Sequence, residues 1–109
     1  MASAAIVAAF QLNPGHSMEE VIPLVTKIRE IGQGQGVQVV RLFTGFAGGG
    51  PKPFTAVTFY IEYADFGNLG TGTQGFLADP AWAPVVADLL APDSPLEYMD
   101  TAIIMEVDF

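Results

Sequence analysis

Apolar positions along the chain fall into blocks whose spacing switches between the two-residue period of a strand and the 3.6-residue period of a helix. In AAIVAAFQL, residues 4 to 12, Ile6, Ala8, Phe10 and Leu12 alternate with Ala5, Val7, Ala9 and Gln11. Both sets are largely apolar, which predicts a central strand covered on both faces. NPGHS then turns the chain, and Ser17 followed three residues later by Glu20 makes a capping box that predicts a helix start. Val21, Leu24, Val25, Ile28 and Ile31 follow at the spacing of one buried helical stripe. Pro23 falls within that stretch and is expected to forfeit a backbone hydrogen bond and bend the first turns. GQGQG, Gly32 to Gly36, ends the helix with residues that tolerate left-handed backbone.

Two further strands are predicted, VQVVRLFT (Val37 to Thr44) and FTAVTFYIEY (Phe54 to Tyr63), paired as an antiparallel hairpin through the long loop GFAGGGPKP. Both faces of the second of these are apolar enough to meet a helix, so its orientation stays open. ADFGNLGTGTQGFLADPAWAPVVADLL comes next, with a second half of helical character in which Asp79-Pro80 marks a helix start. Asp93-Ser94-Pro95 then precedes YMDTAIIMEVDF, a last strand with Met99, Thr101, Ile103, Met105 and Val107 on one side and Ala102, Ile104 and Glu106 on the other. The order strand, helix, strand, strand, helix, strand is that of a ferredoxin-like α+β domain, a four-stranded antiparallel sheet with its helices on one face. The helix-free face is expected to carry Val7, Val40, Leu42 and Ile104 or the opposite, still more apolar set, and pairing two sheets face to face would bury it.

At 109 residues the chain makes a single domain, residues 1 to 109. Half the residues are hydrophobic and only 15% are charged, more apolar content than a small monomer hides easily, so a homodimer is expected. Twelve acidic residues against four scattered basic ones (Lys27, Arg29, Arg41, Lys52) give a net charge of −8, which argues against nucleic acid as a partner. The absence of cysteine excludes disulfides, thiolate metal sites and thiol nucleophiles. No apolar run is long enough to span a bilayer, and MASAAIVAAF has no basic leader region; a cytoplasmic protein with no membrane partner is the expectation.

GTGTQG, Gly70 to Gly75, fits the glycine pattern of a dinucleotide loop, but ADFGNL separates it from the preceding strand. The acidic residue expected some 20 positions on, Asp88, lies in a helical stretch and not at the end of a second parallel strand. With four glycines disfavouring helix, Gly67 to Gly75 is instead expected to be irregular or mobile and to shape the entry to a pocket. GFAGGGPKP lacks the lysine and hydroxyl ending of a phosphate loop and reads as a hairpin loop.

The strand AIVAAFQLNPG, the strand VVRLFTGFAGGG with glycines at its hairpin, FTAVTFYIEYADF leading into a helix, ADPAW and the apolar C-terminal strand resemble the dimeric α+β barrel superfamily. The resemblance covers nearly the whole chain and is greatest to small stand-alone members of the NIPSNAP and antibiotic-biosynthesis-monooxygenase kind. It implies two ferredoxin-like sheets packed into a shared barrel, with activities that range over cofactor-free oxygenases, polyketide cyclases, lactone isomerases and haem-degrading enzymes. Haem-degrading relatives carry an axial histidine on the second helix, and none stands near Trp82 here.

The candidate site residues follow from chemistry. Tyr60 and Glu62 share one face of their strand, while Phe59, Ile61 and Tyr63 share the other. Arg41 is the basic residue expected within the sheet, with Glu62 as an ion-pair partner, and His16, the sole histidine, is a general base or an exposed turn residue. Tyr60, Arg41, His16 and Glu62 are the catalytic candidates; Tyr63, Trp82, Phe10, Phe59 and Asn68 are expected to line the pocket. No metal and no cofactor is called for. The leading function is a cofactor-independent enzyme of monooxygenase, cyclase or isomerase type acting on a small aromatic or polyketide-like substrate in an apolar pocket between sheet and helices. The alternative is a non-catalytic ligand-binding or structural homodimer.

Overall fold

The computed structural model describes residues 2–45 and 56–108. The chain runs β1 (Ala4–Leu12), a 3-10 turn (Met18–Glu20), α1 (Ile22–Gln33), β2 (Val37–Gly45), β3 (Ala56–Tyr63), α2 (Phe66–Ala78), α3 (Trp82–Leu90) and β4 (Leu96–Met105). The strands form one open antiparallel sheet in the order β2-β3-β1-β4, so β1 and β3 are central and β2 and β4 are edges. This is the expected ferredoxin-like α+β architecture, with two helices where a single second helix was expected. The hairpin loop beyond Gly45 and the predicted start of the third strand at Phe54 and Thr55 lie outside the described residues.

Cross-strand register decides which side chains meet the helices. Phe59 stands opposite Ala8 on β1 and Leu42 on β2, and Ile61 opposite Ile6 and Val40. Val57 and Phe59 join the core with Val21, Leu24, Val25, Ile28 and Ile31 of the first helical region, all five residues of the predicted stripe. Each such side chain contributes about 1.5–3 kcal/mol on burial. The odd-numbered face of β3 therefore meets the helices and the even-numbered face does not. Val7 and Ile104, expected on the helix-free face, are there, since they lie opposite Tyr60 and Ala5. Val40 and Leu42 are not: they pack against the core, and Val39 and Arg41 take the free face. The register shift between Val37 and Val39 sets the phase of β2, and alternation within a single strand does not reveal it. A second shift, between Ala9 and Phe10, brings Tyr98 opposite Phe10 and Asp100 opposite Ala9, so the alternation expected through Met99 is broken there. β4 also ends at Met105, which leaves Val107 beyond it and 74% exposed.

Three local expectations are corrected. Pro23 occupies the first turn of α1, where backbone amides have no intrahelical acceptor, so it forfeits no hydrogen bond there. The Glu20 carboxylate takes the Ser17 amide at 2.7 Å as the capping box requires, but the segment it closes is the 3-10 turn, and α1 begins at Ile22. Gly67 to Gly75, expected to be irregular, lies within the continuous helix α2. Asp65 caps that helix by accepting the Asn68 amide at 2.8 Å. Close approach explains two of the four glycines: a Cβ on Gly72 would collide with the Gln35 backbone carbonyl and the Tyr63 ring, and one on Gly75 with the Gln35 side chain. The left-handed residue that the α1–β2 turn needs is Gly36, at φ 80°.

Candidate functional site

Between the helix-bearing face of the sheet and the helices lies a cavity of about 240 Å³. Its walls follow from the alternation just described: Ile6, Ala8 and Phe10 from β1 and Phe59, Ile61 and Tyr63 from β3 all face the helices. The opposite wall is built by α2 and α3, where Phe76 and Trp82 pack edge to face with centroids 4.7 Å apart. Phe10 bridges the floor, edge-on to Phe59 at 5.3 Å and to Tyr98 at 5.6 Å. Such perpendicular aromatic contacts add about 0.5–1.5 kcal/mol each beyond burial, which favours a fixed shape for the walls.

Polar groups in the lining are few. At the β4 edge, the Tyr98 hydroxyl donates to Thr101 Oγ1 at 2.9 Å, an exposed pair that satisfies itself. Deeper in, Tyr63 is 1% exposed, and burial raises its phenol pKa above the ordinary 10.0. The Thr73 hydroxyl lies near enough to that phenol to oppose the shift in part, yet Thr73 Oγ1 has no partner in hydrogen-bonding geometry. No histidine, carboxylate, lysine or arginine lines the cavity among the described residues, nor does any group of three or more His, Asp or Glu there form a metal site.

The structure splits the sequence candidates into separate places. Phe10, Phe59, Tyr63 and Trp82 line the cavity. Asn68 does not; its side chain turns back to Asp65 at 3.0 Å and belongs to the α2 cap. Tyr60, Glu62 and Arg41 stand on the other side of the sheet. There the Tyr60 hydroxyl donates to Glu62 at 2.7 Å, so the carboxylate expected to pair with Arg41 is engaged by a phenol instead. Tyr60 pairs with Arg41 in the β2–β3 register and packs its ring against Phe43 at 6.4 Å. The hydrogen bond to Glu62, reinforced by burial and by the charges of Glu62 and Glu106, raises the Tyr60 pKa. A shallow depression of about 200 Å³ with Ser3 and Ile104 on its rim contains this pair. His16 lies away from both spaces, its Nδ1 3.1 Å from the Glu20 carboxylate. The backbone amide of Ser17, followed by that imidazole, holds the Glu20 pKa below its ordinary 4.5.

Thr73 and Phe76 were missed in the sequence because the glycines around them argued against a helix. Read as a helix, Leu69, Gly72 and Phe76 form a buried stripe, and Thr73 sits beside it one turn after Leu69.

No protein-family model matches the sequence, and no curated protein matches it at a significant level. Among solved structures, the chain is similar to SnoaB, a cofactor-independent oxygenase from Streptomyces nogalater. The TM-score is 0.69 at 11% identity, covering 100% of this chain and 97% of that one. It is also similar to a NIPSNAP family protein with unknown function from Agrobacterium tumefaciens, with a TM-score of 0.68 at 14% identity over 98% and 90% of the two chains. A NIPSNAP-like domain protein from Burkholderia xenovorans superposes with a TM-score of 0.64 at 15% identity over 98% and 85%. The subunit fold is thus the ferredoxin-like α+β fold that the sequence pattern predicts, shared over 98–100% of this chain with an oxygenase and with NIPSNAP proteins. At these identities the likeness establishes architecture, and activity has to be argued from the site.

Proposed function

We propose that this protein is a cofactor-independent enzyme of monooxygenase, cyclase or isomerase type whose small aromatic or polyketide-like substrate occupies the cavity between sheet and helices. The observation that carries the reading is the cavity itself, walled by Phe10, Phe59, Phe76 and Trp82 and large enough for a compact ring system. Apolar walls of this kind bind by removing ring surface from water, at about 25 cal/mol per Å². They also exclude water from the bound compound, which protects a reactive intermediate from side reactions with solvent. That a cofactor-independent oxygenase has the same fold supports this reaction class.

The protein acts as a homodimer in this reading. Ile104 on the helix-free face is 47% exposed and Val7 stands on the same face, beside Tyr60 and Glu62. Closing two such faces on each other would cover them and would place the Tyr60–Glu62 pair and Arg41 at the dimer interface and not in the cavity.

A second reading, a non-catalytic binding protein, draws on the absence of any carboxylate or imidazole from the lining among the described residues. One experiment separates the two. Aromatic ketones and phenols are screened for thermal stabilisation of the wild type and of Ala8→Leu, which fills the cavity floor, and each stabilising compound is incubated aerobically and analysed by mass spectrometry. Stabilisation of the wild type but not of Ala8→Leu, with a change in the compound, is the expected result. Stabilisation without any change leaves the binding reading; no stabilising compound refutes both.

A further inference from the structure

One hydroxyl at the inner part of the cavity, that of Thr73, has no partner in hydrogen-bonding geometry, and the Tyr63 phenol lies beside it. Tyr63 closes β3 opposite Ala4, whereas the self-satisfied Tyr98–Thr101 pair belongs to the exposed edge strand, with Tyr98 opposite Phe10. Ala4 and Phe10 are six residues apart on β1, about 20 Å along the strand, so the two polar groups mark opposite ends of the space. At the outer end the hydroxyls bond to each other. At the inner end Thr73 Oγ1 is buried with no partner in hydrogen-bonding geometry, although it lies near enough to the fully buried Tyr63 phenol to lower its pKa in part. A buried hydroxyl with no partner is destabilising unless something supplies one, and in native proteins it is an exception that calls for a reason.

We propose that Tyr63 and Thr73 together form the anchor for one neutral carbonyl oxygen of the ligand, with both hydroxyls donating to it and the aromatic walls holding the attached ring. This rests on the cavity being the binding site. The ligand class is therefore a ketone-bearing ring compound. A carboxylate is disfavoured, because no cation lines the cavity among the described residues and an unpaired charge is costly to bury. Burial keeps Tyr63 protonated through the physiological range, which suits a donor.

The test uses matched probes that differ by that oxygen: 1-tetralone, its hydrocarbon tetralin, and 1-naphthoate as the anionic control. Dissociation constants are measured by calorimetry or by quenching of Trp82 fluorescence, in wild type, Thr73→Val and Tyr63→Phe. The wild type should bind tetralone about tenfold more tightly than tetralin, the scale of two neutral hydrogen bonds whose partners are already desolvated, and bind naphthoate most weakly. Thr73→Val, which removes a hydroxyl without a partner in hydrogen-bonding geometry, should fold at least as stably as the wild type, keep its affinity for tetralin and cut the preference for tetralone to about threefold. Tyr63→Phe should reduce the same preference. Equal binding of tetralone and tetralin by the wild type, or a preference undiminished in Thr73→Val, overturns the anchor while leaving the cavity as the binding site. Binding of none of the three overturns both.

Discussion

Substituting alanine along the glycine-rich helix separates two physical explanations of its sequence. If the glycines are merely weak helix formers, every one replaced by alanine stabilises α2 by up to about 1 kcal/mol. The structure predicts a different order. Gly70 has open space where a Cβ would stand, so Gly70→Ala should gain close to the full ~1 kcal/mol, or about 4 °C in Tm for a chain of this length. At Gly72 the same substitution drives a methyl into the Gln35 backbone carbonyl and the Tyr63 ring, neither of which moves cheaply. Overpacking of that kind costs about 1–3 kcal/mol, which leaves Gly72→Ala about 0–2 kcal/mol less stable than the wild type after the helix gain is credited. At Gly75 the obstacle is the end of the Gln35 side chain, which can rotate away, so Gly75→Ala should fall between the two. Urea unfolding followed by Trp82 fluorescence, at one fixed protein concentration, measures all three. Gly72→Ala proving as stable as Gly70→Ala would refute the close-packing account and restore the view of these glycines as simple helix weakeners.

Other measurements follow from the electrostatics and from the exposed sheet. Spectrophotometric titration should find Tyr60 and Tyr63 ionising above 10.0, and Glu62→Gln should bring the Tyr60 step back down. Because the fold favours the neutral phenols, the stability they contribute is present below pH 10.0 and is lost as pH rises through their raised pKa values, so alkaline unfolding should shift in Tyr60→Phe. Glu20 has the opposite sign: its lowered pKa contributes stability above pH 4.5 that is lost as pH falls through the folded value, and Glu20→Gln should flatten that acid limb. Sedimentation at micromolar concentration should give a dimer, and Val7→Glu on the helix-free face should give a monomer that keeps its helical circular dichroism. A wild-type monomer would refute the sheet-to-sheet pairing.

Much of the fold was legible because the strongest patterns were local. The five apolar residues from Val21 to Ile31 and the bounds of β1 follow from periodicity alone. What escaped depended on partners distant in sequence. The phase of β2 was set by a register shift against β3, which no reading of VQVVRLFT supplies, so Val40 and Leu42 were placed on either face. α2 looked irregular because propensity counts glycines without knowing that β3 and Gln35 press against them. The cavity aromatics can be named from sequence, but assigning Tyr60 to the same site as Tyr63 overlooks that their even and odd positions put them on opposite faces of β3. The residue now given the most specific task, Thr73, lay hidden in the segment whose helical nature was doubted.

β4 contributes a single buried side chain, Leu96; everything after it to Met105 is exposed in the subunit, although its backbone pairs with β1 on both sides of the shift at Met99. Structural duty and surface chemistry are thereby uncoupled in this strand. Its ladder carries most of its contribution to the sheet, so Thr101 at the cavity edge can be exchanged at little expense to folding and Tyr98 at about the 0.5–1.5 kcal/mol of its edge contact with Phe10. Random libraries confined to these positions should retain foldable members at high frequency, which makes β4 the place where ligand preference could diverge fastest, in nature or by design, while the buried anchor and aromatic walls stay constant.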